Sequence, residues 1–227
     1  MMKILVVAAH PDDEILGIGG TVKRHVLSGD EAFCVILGEG ATSRCDKREN
    51  AKLDGLNELK ASADRAASII GYKQVFFEGL PDNRFDGLEL LDIVKLLEKH
   101  IDEIKPDIIY THHYGDINID HRITFNAVIT AARPIGSEYP AEVYSFETVS
   151  STEWNYGNSE MMFRPNVFID ITSTIEDKVK ALECYASELK QYPHPRSAEG
   201  VIVTAKKWGT VISREYAEPL EAIRIVK

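Results

Sequence analysis

The 227-residue sequence is sparing in the features that mark several large protein classes. It has three cysteines, Cys34, Cys45 and Cys184, odd in number and far apart, with no Cys-x-x-Cys pair. That excludes a disulfide framework and a cysteine-built zinc knuckle, and reduced thiols suit a cytoplasmic protein. Cys34 sits in an apolar run and reads as core; Cys45 reads as an ordinary loop residue beside Arg44. Basic residues are outnumbered 26 to 36, giving a formal net charge of −10, which argues against nucleic acid or an anionic membrane surface as a main partner. No apolar stretch approaches the roughly 18 to 20 residues of a membrane span. The short run after Met1-Met2-Lys3 is too brief for the core of a signal peptide. No Gly-x-Gly-x-x-Gly follows it, so the fingerprint of a dinucleotide-binding oxidoreductase is missing. There is no internal repeat and no low-complexity stretch.

What is present is an alternation of strand and helix signals. Residues 3–9 read as a buried strand, and Glu14 to Ser28 carries apolar residues at helical spacing, with Asp12 or Asp13 as cap and Gly29 as terminator. Phe33–Leu37, Gln74–Phe77 and Asp107–Thr111 read as further strands. Arg48–Ile70, Leu88–Ile104 and a segment ending near Arg133-Pro134 read as helices. Such alternation predicts an α/β, Rossmann-like, mostly parallel sheet with helices on both faces. The pattern loosens after Pro134: strands over Val143–Thr148 and Val167–Ile171, a helix over Thr172–Lys190 capped by Thr172 or Ser173, a rigid loop over Tyr192–Ser197 and a last helix. The whole reads as one domain, residues 1–134 forming the core and 135–227 an irregular C-terminal extension. Residues 151–165, with Trp154 and Tyr156, read as irregular, either a sugar-stacking surface or a buried or subunit contact.

Two polar clusters stand out. His10-Pro11-Asp12-Asp13-Glu14 follows the run Ile4–Ala9, and Asp116-Ile117-Asn118-Ile119-Asp120-His121 follows the strand at 107–111. Both fall at carboxyl ends of predicted parallel strands, where open α/β sheets bind ligands. His10, Asp13 and His121 would offer zinc two nitrogens and one carboxylate, leaving the fourth position for water. Asp12 would remain as general base, and Asp120 as a partner orienting another side chain. Taken singly, each cluster also reads as a turn with a helix cap, and Asp116 reads as the cap of the following helix. Of His112 and His113, one should face the site and the other packing or solvent. His25 and His100 read as surface or packing residues. Arg44 and Asp82 sit in loops that would reach the same rim, Arg44 suited to phosphate or sugar hydroxyls.

His10-Pro11-Asp12-Asp13-Glu14 and Ile119-Asp120-His121-Arg122 together resemble the PIG-L (LmbE-like) family of zinc-dependent N-deacetylases. The likeness extends to Gly38–Arg44, Leu80-Pro81-Asp82 and His194-Pro195-Arg196-Ser197. It implies a Rossmann-like fold that removes acetyl from an N-acetylated amino sugar or its conjugate. By position it implies zinc on His10, Asp13 and His121, Asp12 as base and Arg44 as a substrate contact. The family's second motif begins with a histidine that, protonated, steadies the tetrahedral intermediate; this chain has Asn118 there, a neutral donor. His194 is the candidate replacement, with His112 or His113 behind it. Trimers or hexamers are implied too, in which His194 would serve its own or a neighbouring subunit. The alternatives are an amidase on a sugar conjugate or non-sugar N-acetyl amine, and a catalytically silent sugar- or nucleotide-binding protein.

Overall fold

The structure is a computed structural model and describes residues 1–40, 42, 53–136, 138–157 and 159–227. Arg44, Cys45 and the expected helix start at Arg48 lie outside the described residues. Strand β1 (Lys3–Ala8) is buried along almost its whole length, and its side chains divide by parity between two cores. Ile4, Val6 and Ala8 join one apolar cluster; Leu5, Val7 and Ala9 join the other. This is what a central strand of a sheet covered on both faces requires. Helices α1 (Asp13–Leu27), α2 (Leu53–Ile70) and α5 (Ile175–Glu183) cover the first face. Helices α3 (Leu90–Ile104) and α4 (Ile119–Ala131) cover the second.

The remaining strands are β2 (Glu31–Gly38), β3 (Gln74–Leu80), β4 (Ile108–His112), β5 (Glu142–Phe146), β6 (Val167–Asp170) and β7 (Ala217–Ile225). They form one seven-stranded sheet in the order β3-β2-β1-β4-β5-β7-β6. The first five in that order are mutually parallel, and β7 runs antiparallel to both neighbours. The strand order reverses direction between β1 and β4, so their carboxyl ends open a crevice at the switch point.

Several boundaries differ from the sequence reading. The helix expected over Thr172–Lys190 is only Ile175–Glu183, with Thr174 at its N-cap. Strand β7 is absent from that reading because its pattern is misleading. Ala217-Glu218-Pro219-Leu220-Glu221 contains a proline and two glutamates, yet both glutamates are buried. Glu218 accepts the backbone N–H groups of Gly20 and Thr21 in α1 at 3.0 and 2.7 Å. It also pairs with buried Lys178, whose Nζ donates to Leu16 O. The sheet's last strand thereby grips the middle of α1. Residues 198–211 form α6 (Ala198–Val211), capped by Ser197, whose hydroxyl accepts Gly200 N. Segment 151–165 is irregular, with short 3-10 turns at Thr152–Trp154 and Ser159–Met161.

Candidate metal centre

β1 delivers His10 two residues beyond its end, and β4 ends at His112. α1 begins at Asp13, and the first turn of α4 carries Asp120 and His121. Asp13 Oδ2 lies 3.3 Å from His10 Nδ1 and 3.2 Å from His121 Nε2. One ligand atom from each of the three residues fits within 4.8 Å of the others. Asp13 Oδ1 and both ring nitrogens of His121 are buried without a well-formed hydrogen bond, His121 Nε2 facing Asp13 and Nδ1 facing Asp116. Buried polar atoms are rarely left so, and His121 Nε2, which faces Asp13, is one that a cation between them would satisfy. Two imidazole nitrogens and a carboxylate are a donor set suited to zinc.

The imidazoles are oriented from behind. His10 Nε2 lies 3.0 Å from Asp120 Oδ2 and 3.2 Å from Asp82 Oδ1. Asp120 is itself fixed by the backbone N–H groups of Asn83 and Phe85 at 2.7 and 3.0 Å. With a metal bound, a proton on Nε2 facing Asp120 would leave the Nδ1 lone pair for the shared centre. His121 Nδ1 lies 3.1 Å from Asp116 Oδ2, and Asp116 is anchored by Ser151, Thr152 and the N–H of Asn118. Both histidines therefore have a carboxylate on the ring nitrogen remote from the shared centre, the usual arrangement for metal-bound imidazole. Asp116 was expected to cap α4, but Asn118 does so, its Oδ1 accepting Asp120 N at 2.8 Å. Asn118 Nδ2 donates to Asn83 Oδ1.

Charge follows from these contacts. Burial alone would lower the His10 pKa, but hydrogen bonds to Asp120 and Asp13 and the charges of Asp13 and Asp82 raise it to about 10. For His121 burial is likewise outweighed by Asp13 and Asp116, raising it to about 9. Asp13 is held well below the carboxylate range: burial opposes ionisation, and the His121 charge with hydrogen bonds from His10 and His121 overcomes it. His112 behaves oppositely, burial taking it down to about 3. Its Nε2 accepts Ala9 N–H at 2.9 Å, and its Nδ1 faces Thr148 Oγ1 at 3.1 Å. His113 points elsewhere, toward Glu221 Oε2 on β7 at 2.9 Å and Met161 O at 2.9 Å.

A cavity of about 100 Å³ opens beside this centre, lined by His10, Asp12, Asp82, Asn118, Glu188 and Arg196 among others. Gly38 permits the close approach of β2 to this corner: a Cβ there would stand 2.8 Å from Ala9 O and 3.2 Å from the His10 ring. The family model described as PIG-L, GlcNAc-PI de-N-acetylase, matches residues 5–132, which include every residue of the His10–Asp13–His121 centre. The chain belongs to the PIG-L family.

Among relatives of this PIG-L protein, an uncharacterized deacetylase, YaiS, of Escherichia coli K12 is 29% identical over 170 residues, covering 73% of this chain and 80% of that protein. A 4-oxalmesaconate hydratase of Pseudomonas putida is 26% identical over 245 residues, covering 96% and 88%. The solved N,N'-diacetylchitobiose deacetylase of Pyrococcus horikoshii superposes with a TM-score of 0.76 at 21% identity, covering 98% of this chain and 84% of that one. That likeness is one of fold.

Asp12 occupies the cavity in an unusual backbone state, φ 101° and ψ −26°, and its side chain caps nothing. Burial raises its pKa to about 7 against the opposing charge of Arg196, whose Nη1 lies 3.2 Å from Asp12 Oδ2. Arg196 was named in the sequence only as part of a motif; its side chain is steadied by Ser150 Oγ at 2.8 Å. His194 packs edge-on against Trp154 and accepts Arg196 N on Nδ1. It is not among the described residues lining the cavity. Glu188 carries no sequence signal, lying in a stretch expected to continue a helix. His25 and His100 are tied to Asp30 and Glu78 away from the centre. No helix among the described residues is long and apolar enough to cross a membrane.

Proposed function

We propose that this PIG-L protein is a zinc-dependent hydrolase that removes the acetyl group from an N-acetylated amino sugar or its conjugate, releasing acetate and the free amine. The observation that carries the reading is the convergence of His10, Asp13 and His121 beside Asp12 at the β1–β4 switch point. These three residues would hold the metal. Bound there, zinc would polarise the amide carbonyl and make a neighbouring water more acidic. Asp12 takes the proton as the water oxygen adds to the carbonyl carbon, then returns it to the nitrogen as the C–N bond breaks. Burial suits Asp12 to both roles by bringing its pKa toward neutrality. Arg196 orients the carboxylate, and the Asn118 amide, tied to Asn83 at one hydrogen, faces the cavity as a neutral donor to the developing oxyanion. Asp82 and Glu188 offer acceptors to sugar hydroxyls.

The P. putida relative, a 4-oxalmesaconate hydratase, favours a second reading, hydration of an unsaturated acid at this site. Against it, the described lining carries Asp12, Asp82 and Glu188 and one guanidinium, a poor setting for a substrate bearing several carboxylates. The deciding assay incubates zinc-loaded protein with N-acetylglucosamine derivatives, simple N-acetyl amines and unsaturated acids. Acetate from the sugars, abolished by Asp12→Asn, is expected. Failure to release acetate from any amide at one zinc per chain would overturn the hydrolase reading.

A further inference from the structure

Glu14 and Tyr185 are buried, and the mechanism above uses neither of them. Glu14 Oε2 accepts the backbone N–H of Asp12 at 3.0 Å, and Tyr185 OH donates to Glu14 Oε1 at 2.5 Å. Asp12 is the residue whose backbone stands at φ 101°, a region that non-glycine residues adopt only when their surroundings impose it. Its carbonyl is already engaged by Ile15 N and Leu16 N at 3.1 and 2.9 Å. An aspartate at a helix N-cap normally folds its carboxylate back onto the first turn. Here the N–H is held by Glu14, the carbonyl by the helix, and the carboxylate is turned outward into the cavity.

We propose that Glu14 and Tyr185 are positioning residues that act through Asp12: together they hold its backbone in the left-handed state that aims its carboxylate at the substrate. The proposal rests on reading Asp12 as the general base. Tyr185 lies just beyond α5, so the brace links the C-terminal part of the chain to the first turn of α1. Glutamine at position 14 preserves both contacts, its carbonyl accepting Asp12 N–H and its amide donating to the Tyr185 oxygen.

The test compares Glu14→Gln, Glu14→Ala and Tyr185→Phe with the parent. Exchange of the Asp12 amide hydrogen is followed by NMR on the zinc-loaded protein, with kcat, KM and zinc content measured in parallel. In Tyr185→Phe and Glu14→Ala the Asp12 amide is expected to exchange about tenfold faster or more, with α1 beyond Gly20 unchanged. In the same variants kcat should fall about tenfold or more, with KM and zinc content at parent levels, and Glu14→Gln should match the parent in every measurement. Parent-like exchange at Asp12 in Tyr185→Phe overturns the brace; lost protection with unchanged kcat overturns the positioning role. If Glu14→Ala fails to fold, Tyr185→Phe, which keeps the ring, decides. A parent protein that releases no acetate removes the reading of Asp12 as base, and the exchange measurement still decides whether the brace exists.

Discussion

The imidazole of His112 lies nearly flat against that of His121, ring centroids 3.9 Å apart and planes 18° from parallel. The stack supports a proposed zinc ligand with a ring that is not itself free to bind, because its Nε2 is occupied by Ala9 N–H. His112→Phe keeps the stack and strands that N–H. Leaving one buried donor unpaired should cost about 1–3 kcal/mol of stability in denaturant unfolding, with zinc stoichiometry intact. Loss of zinc from this variant would make His112 a ligand and displace the proposed set.

Asp120 Oδ2 lies 3.0 Å from His10 Nε2, and is read as a partner of that ligand although His10, Asp82 and Asp120 also stand close enough together to hold an ion. Asp120→Asn should therefore leave three ligands in place and weaken zinc binding roughly 10- to 100-fold, as measured by competition with a chelating dye. An unchanged affinity would show that the His10–Asp120 contact contributes nothing to ligand orientation.

Without metal, His10 and His121 have pKa values raised to about 10 and about 9, so both are charged at neutral pH. Metal binding requires both rings neutral at the ligating nitrogen. Zinc loading near neutrality should expel about two protons per site, and affinity should climb with pH up to the range where the two rings titrate. Calorimetry in buffers of different ionisation enthalpy counts those protons. A count near zero would mean that neutral rings already dominate in the free protein.

The base should set the acid limb of kcat/KM. Asp12 must be ionised to accept a proton, so activity falls as pH drops through its pKa, which burial holds above the ordinary carboxylate range. Arg196 is the opposing charge. Arg196→Gln should move the acid limb to higher pH, since the neutral acid loses its competitor. A limb that stays in place in this variant would disconnect the guanidinium from the base.

Helix α1 can approach β5 only because position 17 has no side chain. A Cβ on Gly17 would fall 2.2 Å from Cδ2 of Phe146, whose ring is fully buried. Gly17→Ala should lose at least about 1–3 kcal/mol, read in thermal unfolding as a clear drop in Tm, because neither the helix nor the strand can move aside. A neutral effect would show that the α1–β5 contact is looser than its geometry.

The parallel half of the sheet was legible because its strands obey simple rules. β1 is apolar from Ile4 to Ala8, and the glycines at 29 and 71 and the proline at 106 mark where neighbouring elements end. The His10 and His121 clusters were visible for the same reason, as polar residues placed where strands stop. Asp116 was misread because an aspartate two residues before a helix N-cap has two plausible partners, and only the fold shows that His121 and the Ser151–Thr152 turn outcompete the helix N-terminus. β7 was missed because it buries two glutamates whose partners are remote in sequence: Glu218 meets Gly20 and Thr21 of α1 almost two hundred residues away, and Glu221 meets His113 and Arg164. Arg196 could be flagged only as part of a motif, since nothing local says that a loop arginine will reach a carboxylate 184 positions earlier.

The grip of β7 on α1 has a consequence for the order in which the protein is made. All three proposed ligands precede residue 122, so a growing chain displays a full set of metal-binding side chains early in synthesis. The strand that steadies α1 through Glu218, and that receives His113 through Glu221, emerges only after residue 216. Until then the ligands sit on an unfinished sheet with an open edge at β5. The three proposed ligands are therefore synthesised well before the strand that steadies the helix on which Asp13 stands.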